Sequence, residues 1–130
     1  MSRTRRLPTD AELQVLRVLW SRGPSTVRQV HEALHADGGA GYTTSLKLMQ
    51  NLHAKGLVGR DESERQHIYR ATEAESTTVQ GVVRQLIDRS FEGSAASLAM
   101  HALGAKRTTP EELARVRALI DELEAEEKKR

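Results

Sequence analysis

Two short stretches carry residue types whose spacing could do chemistry. The first is His31-Glu32-Ala33-Leu34-His35. Its H-E-x-x-H spacing, wound on a helix, puts two imidazoles on one face with a carboxylate beside them. That set suits zinc-assisted hydrolysis, in which the metal activates water and the glutamate moves protons. A catalytic zinc needs a third protein ligand. His53 is the one histidine at a sensible separation, and it falls on a neighbouring helix that would have to pack differently to deliver it. The zinc-hydrolase reading is kept as an alternative only. The expectation is no enzyme, no metal and no cofactor. No Ser/His/Asp set with an elbow or glycine-rich context is present either.

The second stretch is Tyr42 to Gly56, YTTSLKLMQNLHAKG. It reads as one amphipathic helix with Thr43 as N-cap and Gly56 as the left-handed stop. Leu48, Met49 and Leu52, with small Ser45 beside them, form an inward stripe. Thr43, Thr44, Lys47, Gln50 and Asn51 lie on the other side. This face offers hydroxyls, amides and an ammonium, and it has no carboxylate. Donors without acids suit a helix that sits among phosphates and base edges. An ordinary solvated face has a similar composition, so the neighbouring elements decide between the two.

Those neighbours read as follows. Residues 1–9 (MSRTRRLPT) form a basic arm whose Arg3, Arg5 and Arg6 could touch phosphate or a minor groove; a plain tail is the other reading. A first helix runs from about Asp10 to Ser21, capped by Thr9 or Asp10, with Leu13, Val15, Leu16, Leu19 and Trp20 inward. Gly23-Pro24 ends it. Ser25-Thr26 opens a second helix to about His35, with Val27, Val30 and Leu34 inside. Residues 36–41 (ADGGAG) are glycine-rich but lack the lysine and preceding strand of a phosphate loop. After Gly56, Leu57-Val58 begins a strand, residues 61–66 (DESERQ) form a polar tip, and His67 to Arg70 return. Ile68 and Arg70 share one face of that return strand, and Tyr69 takes the other. His67 reads as a packing or surface residue, and Trp20 and Tyr69 as core.

Three helices and a hairpin make a winged helix-turn-helix, in which the third helix enters a major groove. Arg60, Arg65 and Arg70 would reach backbone phosphates from the wing. Beyond Thr72 the pattern is helical throughout. Thr72-x-x-Glu75 reads as a capping box. Val79, Val82, Val83, Leu86, Ile87 and Phe91 make an apolar stripe, and Gly93-Ser94 breaks it. Leu98, Met100, Ala102 and Leu103 mark a short helix ending at Gly104. Thr109-Pro110-Glu111-Glu112 starts a last helix, where Leu113, Val116, Ile120 and Leu123 recur at 3-4-3 spacing like a short coiled-coil seam.

The 130 residues hold one domain or a small domain plus an extension. Residues 1–72 carry a charge balance of +4 and residues 73–130 one of −2. A basic first part suits an anionic partner. Aromatics are 3% of the chain, too few for base stacking on single strands to dominate. There is no cysteine, hence no disulfide or thiolate site. No apolar run approaches the length of a membrane span, and the N-terminus lacks the apolar segment of a secretory signal, so a soluble cytoplasmic chain is expected. The C-terminal helices would bury only a thin core by folding on themselves. A homodimer that shares Val83, Leu86, Ile87, Phe91, Leu98, Leu113, Val116, Ile120 and Leu123 solves that problem. An internal helical cap is the alternative.

The run from Leu7 to Thr72 resembles the penicillinase-repressor (BlaI/MecI) family of bacterial winged-helix regulators. The pieces that carry it are LPTDAELQVLRVLW, STVRQVHEAL and GYTTSLKLMQNLHAKGLVGRDESERQHIYRA. FEGSAASLAMHAL and the final helix resemble the family's dimerisation region, which extends the likeness to about Leu123. The resemblance implies a mainly α chain: a winged-helix DNA-binding domain over residues 1–72, with a two- or three-stranded wing, and a helical dimerisation region over 73–130. It also implies a dimeric repressor on a palindromic operator. It further implies a membrane sensor-protease that answers an antibiotic by triggering cleavage in the dimerisation region. The chain departs from the family's pattern in two places. Leu46, followed by Lys47, stands where the family's recognition helix often has arginine, and the family's cleaved Asn-Phe bond aligns with about His101-Ala102. The cysteine-rich tail of the family's copper-responsive branch is absent. The matching recognition positions are Thr43, Thr44, Leu46, Lys47, Gln50 and Asn51. The other reading is a winged helix that binds a protein partner and no DNA; the acid-free third helix argues against it.

Overall fold

Threonine oxygens start three of the helices in this computed structural model, which describes residues 6–35 and 41–130. Helix α1 (Asp10–Arg22) begins with a capping box: Glu12 N–H donates to the Thr9 hydroxyl, and Thr9 N–H donates to the Glu12 carboxylate. The box satisfies two backbone donors that the first turn would otherwise strand. Helix α2 (Val27–Leu34) repeats the device with Thr26 and Gln29. Helix α3 (Tyr42–Ala54) does not, because its N-cap is Gly41, with no side-chain cap. The expected cap, Thr43, instead lies inside the first turn. Thr44 and Ser45 both donate to the Gly41 carbonyl, so the helix starts earlier than side-chain preference suggests. Tertiary contact holds that turn: the Tyr42 ring meets His31 edge-on at 5.7 Å. The stop is as expected. Gly56 has φ +79°, Gly56 N–H donates to His53 O, and Leu57 N–H donates to Leu52 O. These are the two bonds of a Schellman motif, whose left-handed residue favours glycine. The glycine-rich stretch 36–40 lies outside the described residues, as do Arg3 and Arg5.

Strands β1 (Val58–Asp61) and β2 (Ile68–Ala71) pair antiparallel, with Gly59 opposite Arg70 and Arg60 opposite Tyr69. Ser25 adds a one-residue third strand by exchanging backbone bonds with Tyr69 at 2.9 and 2.8 Å. The core gathers Val15, Leu16 and Leu19 of α1, Val27 and Val30 of α2, and Met49 and Leu52 of α3, with Leu57, Val58 and Tyr69 beneath them. All are 7% exposed or less. Each such side chain stabilises by about 1.5–3 kcal/mol through burial. One ion pair crosses the core's edge: Lys55 Nζ donates to Glu12 Oε1 at 2.5 Å and to Leu7 O at 3.0 Å. It ties the end of α3 to the start of α1.

Helix α4 spans Glu75–Ser90. Its expected capping box does not form. Thr72 is still held by the base of the wing, its hydroxyl donating to Gly56 O and its N–H to Leu57 O. The helix opens instead on the Ala74 carbonyl, while buried Thr78 donates to Glu73 Oε1 and the Trp20 indole N–H donates to Glu73 O. The chain divides into two compact units, Met1–Gln85 and Leu86–Arg130. In the second, Gly93 at φ +80° turns the chain, and Ser94 caps α5 (Ala95–Ala105). Phe91 meets the His101 ring edge-on at 5.2 Å. Helix α6 (Pro110–Lys128) starts with the Thr109–Glu112 capping box and proline in its first turn, as its sequence dictates. Among the described residues no helix is long and apolar enough to cross a membrane.

Candidate nucleic-acid interface

Helical period sorts the side chains of α3. Ser45, Met49 and Leu52 are buried, and Leu48 is half-buried. Thr43, Thr44, Lys47, Gln50 and Asn51 are all exposed on the remaining arc. No acid interrupts that arc, so donors and a single ammonium face solvent together. Leu46 is half-buried and packs against the edge of the core, leaving it a flank to present rather than a free side chain.

The wing divides the three arginines that its sequence groups together. Arg60 lies across from Tyr69 and shares its face. Hydrogen bonds to Tyr69 and then to Glu62 hold the Arg60 guanidinium above its ordinary value, and the Glu62 contact is 2.5 Å. Arg60 therefore pairs with Glu62 at an exposed place on the wing. Arg70 takes the opposite face and lies over Gly59, where an added Cβ would stand 3.4 Å from its guanidinium carbon. Arg65 projects from the exposed tip. The tip also carries Asp61, Glu62 and Glu64. Asp61 accepts from Ser63 N–H at 2.9 Å, which holds its carboxyl below the usual range. The wing is mixed in sign, and the α3 face is not. Arg6 is exposed and directly precedes Leu7, whose carbonyl is bound by Lys55 at the end of α3.

The H-E-x-x-H histidines serve packing. His31 Nδ1 lies 2.8 Å from the Ser45 hydroxyl and joins α2 to α3. Its ring is 5.2 Å from that of His35. His53 is exposed on α3. Among the described residues no three His, Cys, Asp or Glu side chains gather closely enough to hold a metal. Among the described residues no third ligand is brought to the pair.

The anticipated seam is apolar and open to solvent. Val83, Leu86, Leu113, Ile120 and Leu123 are exposed, and Ile87, Phe91, Leu98 and Val116 are half-buried. Leu119, Met100 and Leu103 join them as exposed large apolar groups. Sequence reading missed Leu119, because a strict 3-4-3 count passes over it. It also missed Arg28, which sits on the exposed first turn of α2 with its guanidinium carbon 5.2 Å from the Tyr42 ring centre.

Residues 8–122 match the family model described as "Penicillinase repressor". The chain belongs to the penicillinase repressor family. Transcriptional regulator BlaI of Mycobacterium tuberculosis, in strains CDC 1551 / Oshkosh and ATCC 25618 / H37Rv, is 36% identical over 118 residues. The match covers 89% of this chain and 84% of that relative. The YusO protein from Bacillus subtilis, known from an X-ray crystal structure, superposes with a TM-score of 0.53 at 19% identity. It covers 91% of this chain and 75% of the YusO chain, a likeness of fold. The penicillinase repressor family is one of regulators, not of enzymes.

Proposed function

We propose that this transcriptional repressor acts as a cytoplasmic homodimer that occupies a palindromic operator and blocks a promoter. The observation that carries this reading is the exposed, acid-free arc of α3. Thr43, Thr44, Lys47, Gln50 and Asn51 touch bases and phosphates in a major groove, flanked by Leu46. Arg65, Arg70 and Arg6 touch backbone phosphate. Arg60 acts by stiffening the wing. Residues 1–72 form the DNA-binding part and 73–130 the dimerisation part. The exposed large apolar residues of α4, α5 and α6 support pairing of two copies, because a second copy would take them out of water. Two copies related by a twofold axis demand a site with the same symmetry, with half-sites a whole number of turns apart, about 34–36 Å for one turn. A signal, relayed by a membrane sensor-protease that triggers cleavage within the dimerisation region, releases the operator.

Selection from random duplexes followed by a gel-shift assay tests the reading. The expected product is an inverted repeat with both half-sites on one face of the helix. Failure to enrich any duplex, with the folded protein intact, would leave a winged helix that binds protein partners instead.

A further inference from the structure

A cleft of about 220 Å³ opens between the first turns of α2 and α3 and the wing. Thr26, Arg28, Tyr42, Leu46, Arg65 and His67 help to line it. Two guanidinium groups border it from two separate elements, α2 and the wing tip. Among the described residues neither Arg28 nor Arg65 is ion-paired to a carboxylate, whereas Arg60 and Lys55 both are. Arg28 is held in another way. Its guanidinium carbon stands 5.2 Å from the centre of the Tyr42 ring, within cation–π range. A cation–π contact does not use up the guanidinium's N–H donors, which stay free to bind. Two guanidinium groups without a carboxylate partner among the described residues border one cleft, a lining that suits an anion with several acceptor oxygens. The cleft shares Tyr42 and Leu46 with α3, so it adjoins the arc that carries Thr43 and Lys47.

We propose that this cleft seats one backbone phosphate of the duplex whose groove receives α3, gripped by Arg28 and Arg65, with Tyr42 as the residue that positions Arg28. The proposal rests on the DNA-binding reading above and extends it to α2. A phosphate contact carries no base information, so its loss must weaken all sequences alike and flatten the salt dependence.

The test is fluorescence anisotropy of the full chain on its selected operator and on an unrelated duplex, over a series of salt concentrations. Arg28→Gln should weaken both complexes by roughly three- to tenfold at about 100 mM salt and reduce the salt slope by about one. Tyr42→Phe keeps the aromatic face and should keep the slope. Tyr42→Leu should move the slope toward that of Arg28→Gln at an unchanged melting temperature, an effect that loss of packing alone would not produce. Lys47→Ala serves as the reference. If Arg28→Gln binds with the original affinity and slope while Lys47→Ala weakens operator binding, the phosphate seat is wrong and the DNA reading stands. If the unaltered chain enriches no duplex, the underlying reading falls and takes the seat with it.

Discussion

The two units leave different chemistry on their surfaces. In the first, Val15, Val30, Met49 and Leu52 are 0% exposed, and what remains outside on α3 is hydroxyl, amide and ammonium. In the second, neither α5 nor α6 has a buried residue, and Met100 and Leu123 are 68% and 55% exposed. The first unit buries most of its large apolar groups internally, with Tyr42 and Val83 the exceptions, so the surface of α3 is available for a polar, charged partner. The second does not, so its surface is suited to a partner made of the same apolar groups. On the proposed reading, ligand class follows from what each unit fails to bury: nucleic acid for one, a second copy for the other.

Three substitutions bear on that contrast, in falling order of effect. Leu52→Ala removes a side chain from the centre of the first core and should cost about 2–5 kcal/mol, read from urea unfolding. A cost below about 1 kcal/mol would mean that the first unit is not the self-sufficient one. Leu123→Asp places a charge in the seam and should raise the dimer dissociation constant on the order of 100-fold, about 2.7 kcal/mol. Operator affinity should fall with it while the first unit's core stays intact. A variant that sediments as a dimer at micromolar concentration would remove the seam. Lys47→Ala should cost about 1–3 kcal/mol on the operator if the ammonium reads a base, with a smaller loss on other sequences. An equal loss on every duplex assigns Lys47 to phosphate, and no loss at all takes it off the interface.

Much of this contrast is legible in the sequence, and the misreadings share a cause. Thr9, Thr26 and Thr109 begin helices where they should, because each box is closed by a residue three positions along and depends on nothing distant. Thr43 and Thr72 fail as caps because distant groups claim their turns: the ring contact of Tyr42 with His31 in one case, the bonds of Thr72 to Gly56 and Leu57 in the other. The face of Tyr69 could be read from strand alternation, whereas the separation of Arg60 from Arg70 depends on cross-strand register, which turn length conceals. The histidine pair matched a zinc signature by spacing alone. Spacing cannot show what surrounds the pair in space, and only the packing of α2 on α3 reveals that His31 is occupied with Ser45.

The smallest expected effect separates two of the helix starts, those of α2 and α6, by pH. The box that starts α2 uses Gln29, which carries no charge at any pH. The box that starts α6 uses Glu112, whose carboxyl is held below its ordinary value by the Thr109 backbone N–H and then by the Thr109 hydroxyl. A carboxyl that is harder to protonate in the folded helix than in the unfolded chain stabilises the helix above its unfolded pKa. That contribution is lost as pH falls through the folded value. As pH falls below the ordinary glutamate value of about 4.3, the first turn of α6 should therefore begin to fray while that of α2 holds. Carbon-detected NMR of the side-chain carboxyl should show Glu112 titrating below the ordinary glutamate range. Glu112→Gln, which copies the α2 box, should abolish the difference in first-turn fraying between the two helices. Equal fraying of both starts in the unaltered chain would mean that solvent screens the Glu112 charge completely at this exposed site, and that the box contributes geometry alone.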